Sequence, residues 1–158
     1  MLIGGYKMQV NNFRETVEFF YSSLLKTDSG KTGVKISSDK WSLKEIIGHL
    51  VDSASNNHQR FVRLQFGDLR DFPAYDGEDW IRVQGYNKME WELLIKLWHY
   101  YNLALLNIIE NIDNKALSNE WIGIDIRISL EDLIIDYYRH MNVHIKHFTE
   151  RQSELENI

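Results

Sequence analysis

The sequence predicts an all-α protein folded as a four-helix bundle, and three observations lead to this prediction. In four separate segments, apolar residues recur at spacings of three and four, which is the period of a helix with one buried face. Pro73 is the only proline in the 158 residues, so long stretches lack the strongest helix breaker. Two long connections and one moderate one join the four segments, which is compatible with a bundle.

The first predicted helix runs from about Asn12 to Leu25. One apolar stripe marks it, formed by Phe13, Val17, Phe20 and Leu24. A polar stretch follows from Lys26 to Lys40. Its turn-forming residues indicate a loop, namely Asp28, Ser29, Gly30 and Gly33.

The second predicted helix runs from Ser42 to about Phe66. Ser42 and Glu45 have the spacing of a capping box, in which each side chain binds a free backbone N–H of the first turn. Trp41 is expected to pack against this helix start. The buried side continues through Ile46, Leu50, Ala54 and Phe61. Gly67 is a suitable stop.

A long loop is predicted from Asp68 to Tyr86. It contains Pro73, Gly77 and Gly85, which interrupt regular structure. Long loops in compact proteins are often functional. Because this one is rich in aromatic residues, we expect it to lie ordered against the bundle. The aromatic side chains could wall a pocket or merely cover the end of the bundle, and they are Phe72, Tyr75, Trp80 and Tyr86.

The third and fourth helices also have recognisable starts. Asn87 is a good N-cap, with Glu90 at the capping-box position. The stripe of the third helix consists of Trp91, Leu94, Trp98, Tyr101, Leu105 and Ile108. The pattern breaks over 111–119, and 120–128 alternates as a short extended piece would. Ser129 begins the fourth helix, which runs to the C-terminal tail and carries Leu133, Tyr137, His140, His144 and His147.

Composition narrows the class of protein. The length suits one domain, residues 1–158, and 44% hydrophobic residues favour a globular chain. The absence of cysteine excludes disulfides, thiolate metal sites and cysteine nucleophiles. The net charge is −5 and no Lys/Arg cluster occurs, so nucleic acid is not an expected partner. With no apolar run of roughly 18 residues and no signal-like N-terminus, we expect a cytoplasmic protein without a membrane partner.

His140 and His144 form the strongest local signal for a site. Residues four apart on a helix lie about 40° apart around its axis, so both rings share one face. Two imidazoles so placed can bind one metal ion. The alternative is a pair of solvated side chains with no ligand.

The other histidines differ in their expected surroundings. His49 lies among apolar residues of the second helix, where it is either a ligand or a hydrogen-bonded core residue. His58 is half a turn out of phase with His49, and His99 points about 100° away from Trp98, so both are expected at the surface. The angle of His147 does not exclude it as a further ligand.

Three segments, in order along the chain, resemble the DinB-like superfamily. Trp41–Ser53, WSLKEIIGHLVDS, resembles the start of its second helix, where a tryptophan and a capping serine precede a metal-binding histidine. Phe72–Trp80, FPAYDGEDW, followed by Gly85 and Tyr86, is similar to the loop after that helix in the YfiT-like branch. Asp136–His144, DYYRHMNVH, resembles the fourth-helix motif with its two ligands.

This resemblance covers roughly Asn12 to Gln152. It implies an up-down-down-up bundle with one divalent metal ion, zinc or nickel, on His49, His140 and His144. It also implies His49 in preference to His147 as third ligand. Members of the superfamily include thiol transferases that use low-molecular-weight thiols and a mycothiol-dependent maleylpyruvate isomerase. Because these reactions differ, the resemblance implies the metal-binding residues more specifically than the reaction.

Two functions are consistent with such a site. The first is a metal-dependent enzyme of the thiol transferase or hydrolase type, which activates a thiol or water for a small-molecule substrate. It is favoured because three imidazoles leave one position on the metal for an exchangeable ligand, as in catalytic zinc sites. Since the chain has no cysteine, a thiol would arrive as a co-substrate. The alternative is a non-enzymatic module in which the metal locks two helices together. Whether the chain forms a homodimer stays open.

Three neighbouring side chains are candidates to orient the imidazoles. Asp52 and Asp136 fall near the ligand faces by the same angular count, and Tyr137 lies beside Asp136. No single glutamate stands out as a general base, which favours a nucleophile generated by the metal itself.

Overall fold

A computed structural model describes residues 3–157, with side chains from residue 10 onward. Within this range the chain forms five α-helices and three short strands. The helices are α1 Ile3–Leu24, α2 Leu43–Arg63, α3 Gly77–Gln84, α4 Trp91–Glu110 and α5 Leu130–Glu156. The strands are β1 Leu69–Arg70, β2 Glu120–Ile122 and β3 Arg127–Ser129.

The four long helices enclose one apolar core. Both α1 and α2 pack against α4 and α5. Fully buried side chains come from every one of the four helices, for example Val17, Ile46, Leu94 and Phe148. The predicted all-α, four-helix bundle is therefore confirmed. The up-down-down-up order and the single domain of residues 1–158 stay predictions.

The capping box predicted at the start of α2 is confirmed. The Ser42 hydroxyl accepts a hydrogen bond from the Glu45 backbone N–H at 3.1 Å, and the Glu45 carboxylate accepts one from the Ser42 N–H at 2.8 Å. After Arg63 a tighter 3-10 turn extends to Phe66. Gly67 then has φ of 138°, which favours glycine and ends the helix as predicted.

The long loop predicted after α2 contains a helix, so that prediction is wrong for its second half. Asp76 caps α3, because its carboxylate accepts from the Asp79 N–H at 2.9 Å. Gly85 ends α3 with φ of 64°. Gly77 and Gly85 therefore mark the two ends of a short helix. The prediction failed because glycines in a polar sequence are equally typical of loops.

The start of the third long helix also differs from the prediction. A 3-10 turn occupies Tyr86–Lys88, and α4 begins at Trp91 with Glu90 before it. Asn87 therefore does not cap the helix. Its side-chain oxygen accepts a hydrogen bond from the Ser42 hydroxyl at 2.7 Å, which joins the starts of α2 and α4.

The other boundaries follow the predictions more closely. The extended piece predicted over 120–128 is confirmed as the antiparallel pair β2 and β3, and β1 adds to it in parallel. Ser129 caps α5 as predicted. Helix α1 begins nine residues earlier than Asn12. Within the described chain, no helix combines the length and apolar character required to span a membrane.

Candidate metal centre

Three histidines from two helices meet inside the bundle. His49 lies on α2, and His140 and His144 lie one turn apart on α5, which packs against α2. One ring nitrogen of each histidine lies within 4.8 Å of the other two. The Nε2 atoms of His49 and His140 are 3.2 Å apart. The structure thus brings together the three residues singled out from the sequence.

Burial holds these imidazoles in the neutral form. Desolvation, followed by the neighbouring histidines, lowers the pKa of His49 to about 3 and that of His144 to about 4. Burial also lowers the pKa of His140, against the opposing charge of Asp136. At neutral pH the three rings therefore carry lone pairs rather than protons at one nitrogen each, which is the state required of a ligand.

The spacing of the ring nitrogens suits a single ion. Two ligands at about 2.0–2.1 Å from a tetrahedral zinc ion lie about 3.3 Å from one another. The 3.2 Å between the His49 and His140 nitrogens is close to this value. The site also leaves buried Nδ1 atoms on His49 and His144 without a hydrogen-bond partner among the described residues. The rings are held by packing rather than by a dense hydrogen-bond network.

Two elements outside α2 and α5 confine the His49 ring. The Trp41 ring lies 5.0 Å from the His49 ring and 6.0 Å from the His144 ring, centroid to centroid. The Trp41 indole N–H donates to the Glu78 carboxylate on α3 at 3.0 Å. A Cβ atom on Gly77 would lie 2.9 Å from His49 Cε1. Trp41 therefore contacts the site itself, in addition to preceding the helix start as expected.

Of the aromatic residues in the 68–86 segment, Tyr75 lies nearest the cluster. Its ring is 6.5 Å from the His49 ring and 5.1 Å from that of Trp80. Burial raises the pKa of its hydroxyl, against the smaller lowering effect of the nearby Ser53 side chain, so Tyr75 remains protonated at neutral pH. The Tyr86 ring packs against Gly48 of α2, where it occupies the space that a Cβ atom on Gly48 would need.

The remaining histidines lie outside the cluster. His58 is half-buried and its Nδ1 is 3.1 Å from the Tyr101 hydroxyl. His99 is 7% exposed, so the prediction that it lies at the surface is wrong. Its ring stacks on Tyr21 with centroids 3.9 Å apart, and its Nε2 is 3.1 Å from the Glu18 carboxylate. The helical period correctly separates His99 from the apolar stripe that contains Trp98. The prediction failed because α1 packs over that side of α4 as well.

His147 approaches the cluster without joining it. Its ring lies 5.9 Å from the His144 ring and 6.1 Å from the Trp41 ring. Burial lowers its pKa as well. Among the described residues, the group of three nitrogens consists of His49, His140 and His144 alone.

The three side chains proposed to orient the imidazoles have other partners. The Asp52 carboxylate accepts from the Tyr86 hydroxyl at 2.6 Å. Asp136 pairs with Arg139 at 2.6 Å, and the Tyr137 hydroxyl donates to Asn102 at 2.7 Å. No hydrogen bond from these three to a clustered ring is present in the described chain, so this interpretation is wrong. Asp136 acts on His140 through its charge only.

Ser53 is the side chain that sequence reasoning missed. Its hydroxyl oxygen lies 3.5 Å from His140 Nδ1, and Ser53 is itself buried. The available signal was its position four residues after His49, on the same face of α2. A serine in that position can fix the orientation of the His140 ring.

Known proteins share this architecture at low sequence identity. No family model and no curated protein matches the sequence. Among solved structures, YfiT from Bacillus subtilis, described as a probable metal-dependent hydrolase with an unusual four-helix bundle topology, is 17% identical with a TM-score of 0.79. That match covers 95% of this chain and 89% of YfiT.

The chain has the DinB-like fold. A mycothiol-dependent maleylpyruvate isomerase shares it, with 14% identity and a TM-score of 0.70 over 89% of this chain. A mutant of that isomerase matches with a TM-score of 0.71. The match covers 59% of the isomerase, so the chain spans less than two thirds of the length of that protein.

Proposed function

We propose that this protein is a metal-dependent enzyme whose divalent ion, zinc or nickel, is bound by His49, His140 and His144. The observation that carries the proposal is the convergence of three neutral ring nitrogens within 4.8 Å of one another. Imidazole is a ligand for both zinc and nickel. The similarity to YfiT, described as a probable metal-dependent hydrolase, supports the same conclusion.

The donor set favours a catalytic role. Structural zinc sites use four protein ligands, whereas catalytic sites use three and an exchangeable fourth. The described residues supply three. When bound, the ion lowers the pKa of a water or thiol that reaches it, which provides a nucleophile at neutral pH. A thiol would come with a co-substrate, as in the isomerase described as mycothiol-dependent, because the chain has no cysteine.

The surrounding residues have defined tasks in this proposal. Trp41 covers the His49 and His144 rings and keeps bulk water from that side. Ser53 orients His140 through Nδ1. Tyr75 keeps its proton at neutral pH, since burial raises its pKa, and can donate that O–H to an oxygen of a bound substrate.

Metal analysis of the purified protein tests the proposal. Wild-type protein should contain about one zinc or nickel ion per chain, and His49→Ala and His140→Ala should each lose it. His58→Gln is the matched control, because His58 lies on α2 with His49 but outside the cluster. A wild-type protein that binds neither metal after incubation with a slight excess would contradict the proposal.

The thiol reaction is tested on cobalt-substituted protein. Small thiols should produce a sulfur-to-cobalt charge-transfer band, and the band should weaken as pH falls because protons compete for the thiolate and the imidazoles. Screening the same thiols with electrophilic acceptors then tests for transfer. A band without any turnover would limit the proposal to binding.

A second candidate function is a non-enzymatic module. It is favoured by one observation, namely that the three histidines come from α2 and α5, so a bound ion would join these helices. A non-enzymatic role is supported if metal removal unfolds the protein and neither an exchangeable water nor a thiol can be detected at the ion. Enzymatic turnover that depends on the metal would exclude it.

A further inference from the structure

Arg60 is a buried cation that lacks an anionic partner. Its residue exposure is 5%, and none of the ion pairs of the described chain includes it. Arginine keeps its proton in proteins, so the positive charge persists inside the fold. A buried charge without a counter-charge is costly and is normally found paired.

The contacts of Arg60 leave its hydrogen-bonding capacity mostly unused. Nη1 donates to the Asn57 side chain at 3.3 Å and Nη2 to the Pro73 carbonyl at 3.5 Å, both long bonds. Nε is buried without a partner. The guanidinium lies 3.9 Å from the centre of the Trp121 ring, which stabilises a cation without neutralising it.

Arg60 ends a polar row that starts at the three-histidine cluster. His49, Ser53 and Asn57 are spaced four residues apart on α2, so they follow one another about 6 Å apart along one helix face. Ser53 contacts His140, and Asn57 donates to the Ser53 hydroxyl at 3.4 Å. All of these residues of α2 are buried. A continuous polar path therefore connects Arg60 with the proposed metal centre.

We propose that Arg60 binds a carboxylate of the molecule that reacts at the three-histidine site. The fork of the guanidinium then donates two parallel N–H hydrogen bonds to the carboxylate oxygens, in place of the long bonds to neutral acceptors. The Pro73 carbonyl is released, and the 71–76 segment moves away from Arg60 to admit the ligand. The placement of the reacting end at the histidines rests on the proposed function, whereas the anion site at Arg60 does not.

The chemistry of the surroundings favours a carboxylate over a phosphate group. Arg60 is the buried cation of this region, whereas Arg63, whose guanidinium also lies over the Phe72 ring, is exposed. The polar side chains nearest Arg60 are neutral, namely Asn57 and Ser53 of the row and Tyr75 beside it. One planar guanidinium matches one planar carboxylate of charge −1. A phosphate of higher charge generally needs further cations or a nest of backbone N–H groups.

The test uses glutarate as probe and glutaramide as its neutral counterpart. The protein is first freed of metal with 1,10-phenanthroline, a neutral nitrogen chelator that does not compete as a carboxylate. Binding is followed by NMR at the side-chain Nε–H of Arg60, assigned by its loss in Arg60→Lys. The Nε–H of Arg14 is the control in the same spectrum, because Arg14 is exposed on α1 and pairs with Glu110 of α4.

Glutarate should shift the Arg60 resonance in a saturable way, and glutaramide should not. Arg60→Gln should weaken glutarate binding at least about tenfold, Arg60→Lys less, and Arg14→Gln hardly at all. If Arg60→Gln fails to fold, the wild-type titration of the Arg60 resonance decides alone. Metal analysis of the untreated protein does not depend on this outcome, so failure here and failure of the proposed function are distinguishable.

Three results would overturn the proposal. The first is an Arg60 resonance that does not respond to glutarate, and the second is an equal response to glutaramide; either leaves Arg60 with the purely structural task of holding Pro73 and Trp121. The third is tighter binding of inorganic phosphate than of glutarate at the same resonance, which would assign the site to phosphate compounds instead.

Discussion

His99 is a buried histidine with a structural task, separate from the three-histidine cluster. It joins α4 to α1 through its stack on Tyr21 and its contact with Glu18. Replacing it with glutamine removes the aromatic stack and disturbs a hydrogen bond of a buried ring. These contacts belong to the opposite pair of helices from the proposed ligands, since His49 lies on α2 and His144 on α5.

His99→Gln should therefore destabilise the fold without changing metal content. We expect a loss of about 1–2 kcal/mol in the free energy of unfolding, measured by urea denaturation. Metal per chain should stay at the wild-type value. His58→Gln is the comparison, with a smaller loss because His58 is half-buried and makes one hydrogen bond. Loss of metal in His99→Gln would contradict this assignment.

At the scale of elements, α3 is the short helix that closes the cluster from the side of His49. Its first residue, Gly77, has no Cβ, and the His49 ring occupies the space where one would be. The Trp41 indole N–H donates a hydrogen bond to the carboxylate of Glu78, the second residue of α3. The start of α3 and the Trp41 ring thus confine His49 together, although neither belongs to a ligand-bearing helix.

Gly77→Ala should weaken metal binding although alanine is the better helix former. At an exposed helix position this change normally stabilises by about 0.5–1 kcal/mol. Here the new Cβ would lie 2.9 Å from His49 Cε1 and 3.1 Å from Nδ1, so the ring or α3 must shift. The measurement is a competition titration with a chromogenic zinc chelator, and we expect a weakening of about tenfold or more.

The control for this change is Gly33→Ala. A Cβ on Gly33 would meet its nearest atom, the Asn87 side-chain oxygen, at an ordinary 3.8 Å. Zinc affinity should therefore be unchanged in that variant. Equal affinities of Gly77→Ala and wild type would mean that His49 is free to move or does not bind the metal.

On the scale of the whole molecule, a bound ion should stabilise the bundle. It would join α2 to α5 and bind the folded chain only, so the gain follows the ratio of free metal to the dissociation constant. At a hundredfold excess over that constant the gain is about 2.7 kcal/mol, or roughly 5–10 °C in the melting temperature of a chain of this size. Differential scanning calorimetry with and without chelator measures it.

The matched control is His49→Gln, which should melt at the same temperature with and without chelator. A wild-type protein that melts at one temperature under both conditions would contradict the proposal that the ion bridges the two helices. A cytoplasmic location stays a prediction, and homodimer formation stays open.

The metal-free protein should lose stability as pH falls below about 6.5. His49 and His144 have an ordinary pKa of 6.5 when unfolded, against about 3 and about 4 in the fold. Between pH 6.5 and 4 the unfolded chain therefore binds protons that the folded chain does not. The free energy of unfolding should fall by up to about 1 kcal/mol per pH unit for each histidine, less for the half-buried His144.

Urea denaturation at pH 7, 6 and 5 measures this dependence. The slope against pH should be shallower in metal-free His49→Gln, because the titrating group with the lowest of these pKa values is gone. In metal-loaded wild type the loss should begin at lower pH, since the ion opposes protonation of its ligands. Identical slopes in wild type and His49→Gln would mean that His49 is not protected from protons in the fold.

The local features of this protein could be predicted from its sequence. The periods of apolar residues placed the four long helices, and the capping box of Ser42 and Glu45 set the start of α2. The i, i+4 spacing put His140 and His144 on one face of α5. Such features depend on residues within one or two helical turns, where the backbone geometry is known in advance.

Short elements were harder to predict. The eight residues of α3 offer about two turns, too few for a period to stand out, and both glycines at its ends are typical of loops. The start of α4 was misplaced because Asn87 and Glu90 have capping-box spacing, whereas Asn87 in fact binds Ser42 across the bundle. A competing tertiary contact is invisible to a local pattern.

What the sequence determined by itself is which residues share a helix face, and with it the pairing of His140 and His144. Spacing alone left His49 open as ligand or core residue, and only the packing of α2 against α5 decided that a ring 91 residues distant from His140 lies 3.2 Å from it. The same packing buried His99 under α1 and left Arg60 without a carboxylate. The physical reason is that helical period encodes the direction of a side chain around its own axis, whereas its partners depend on which helices the loops allow to meet.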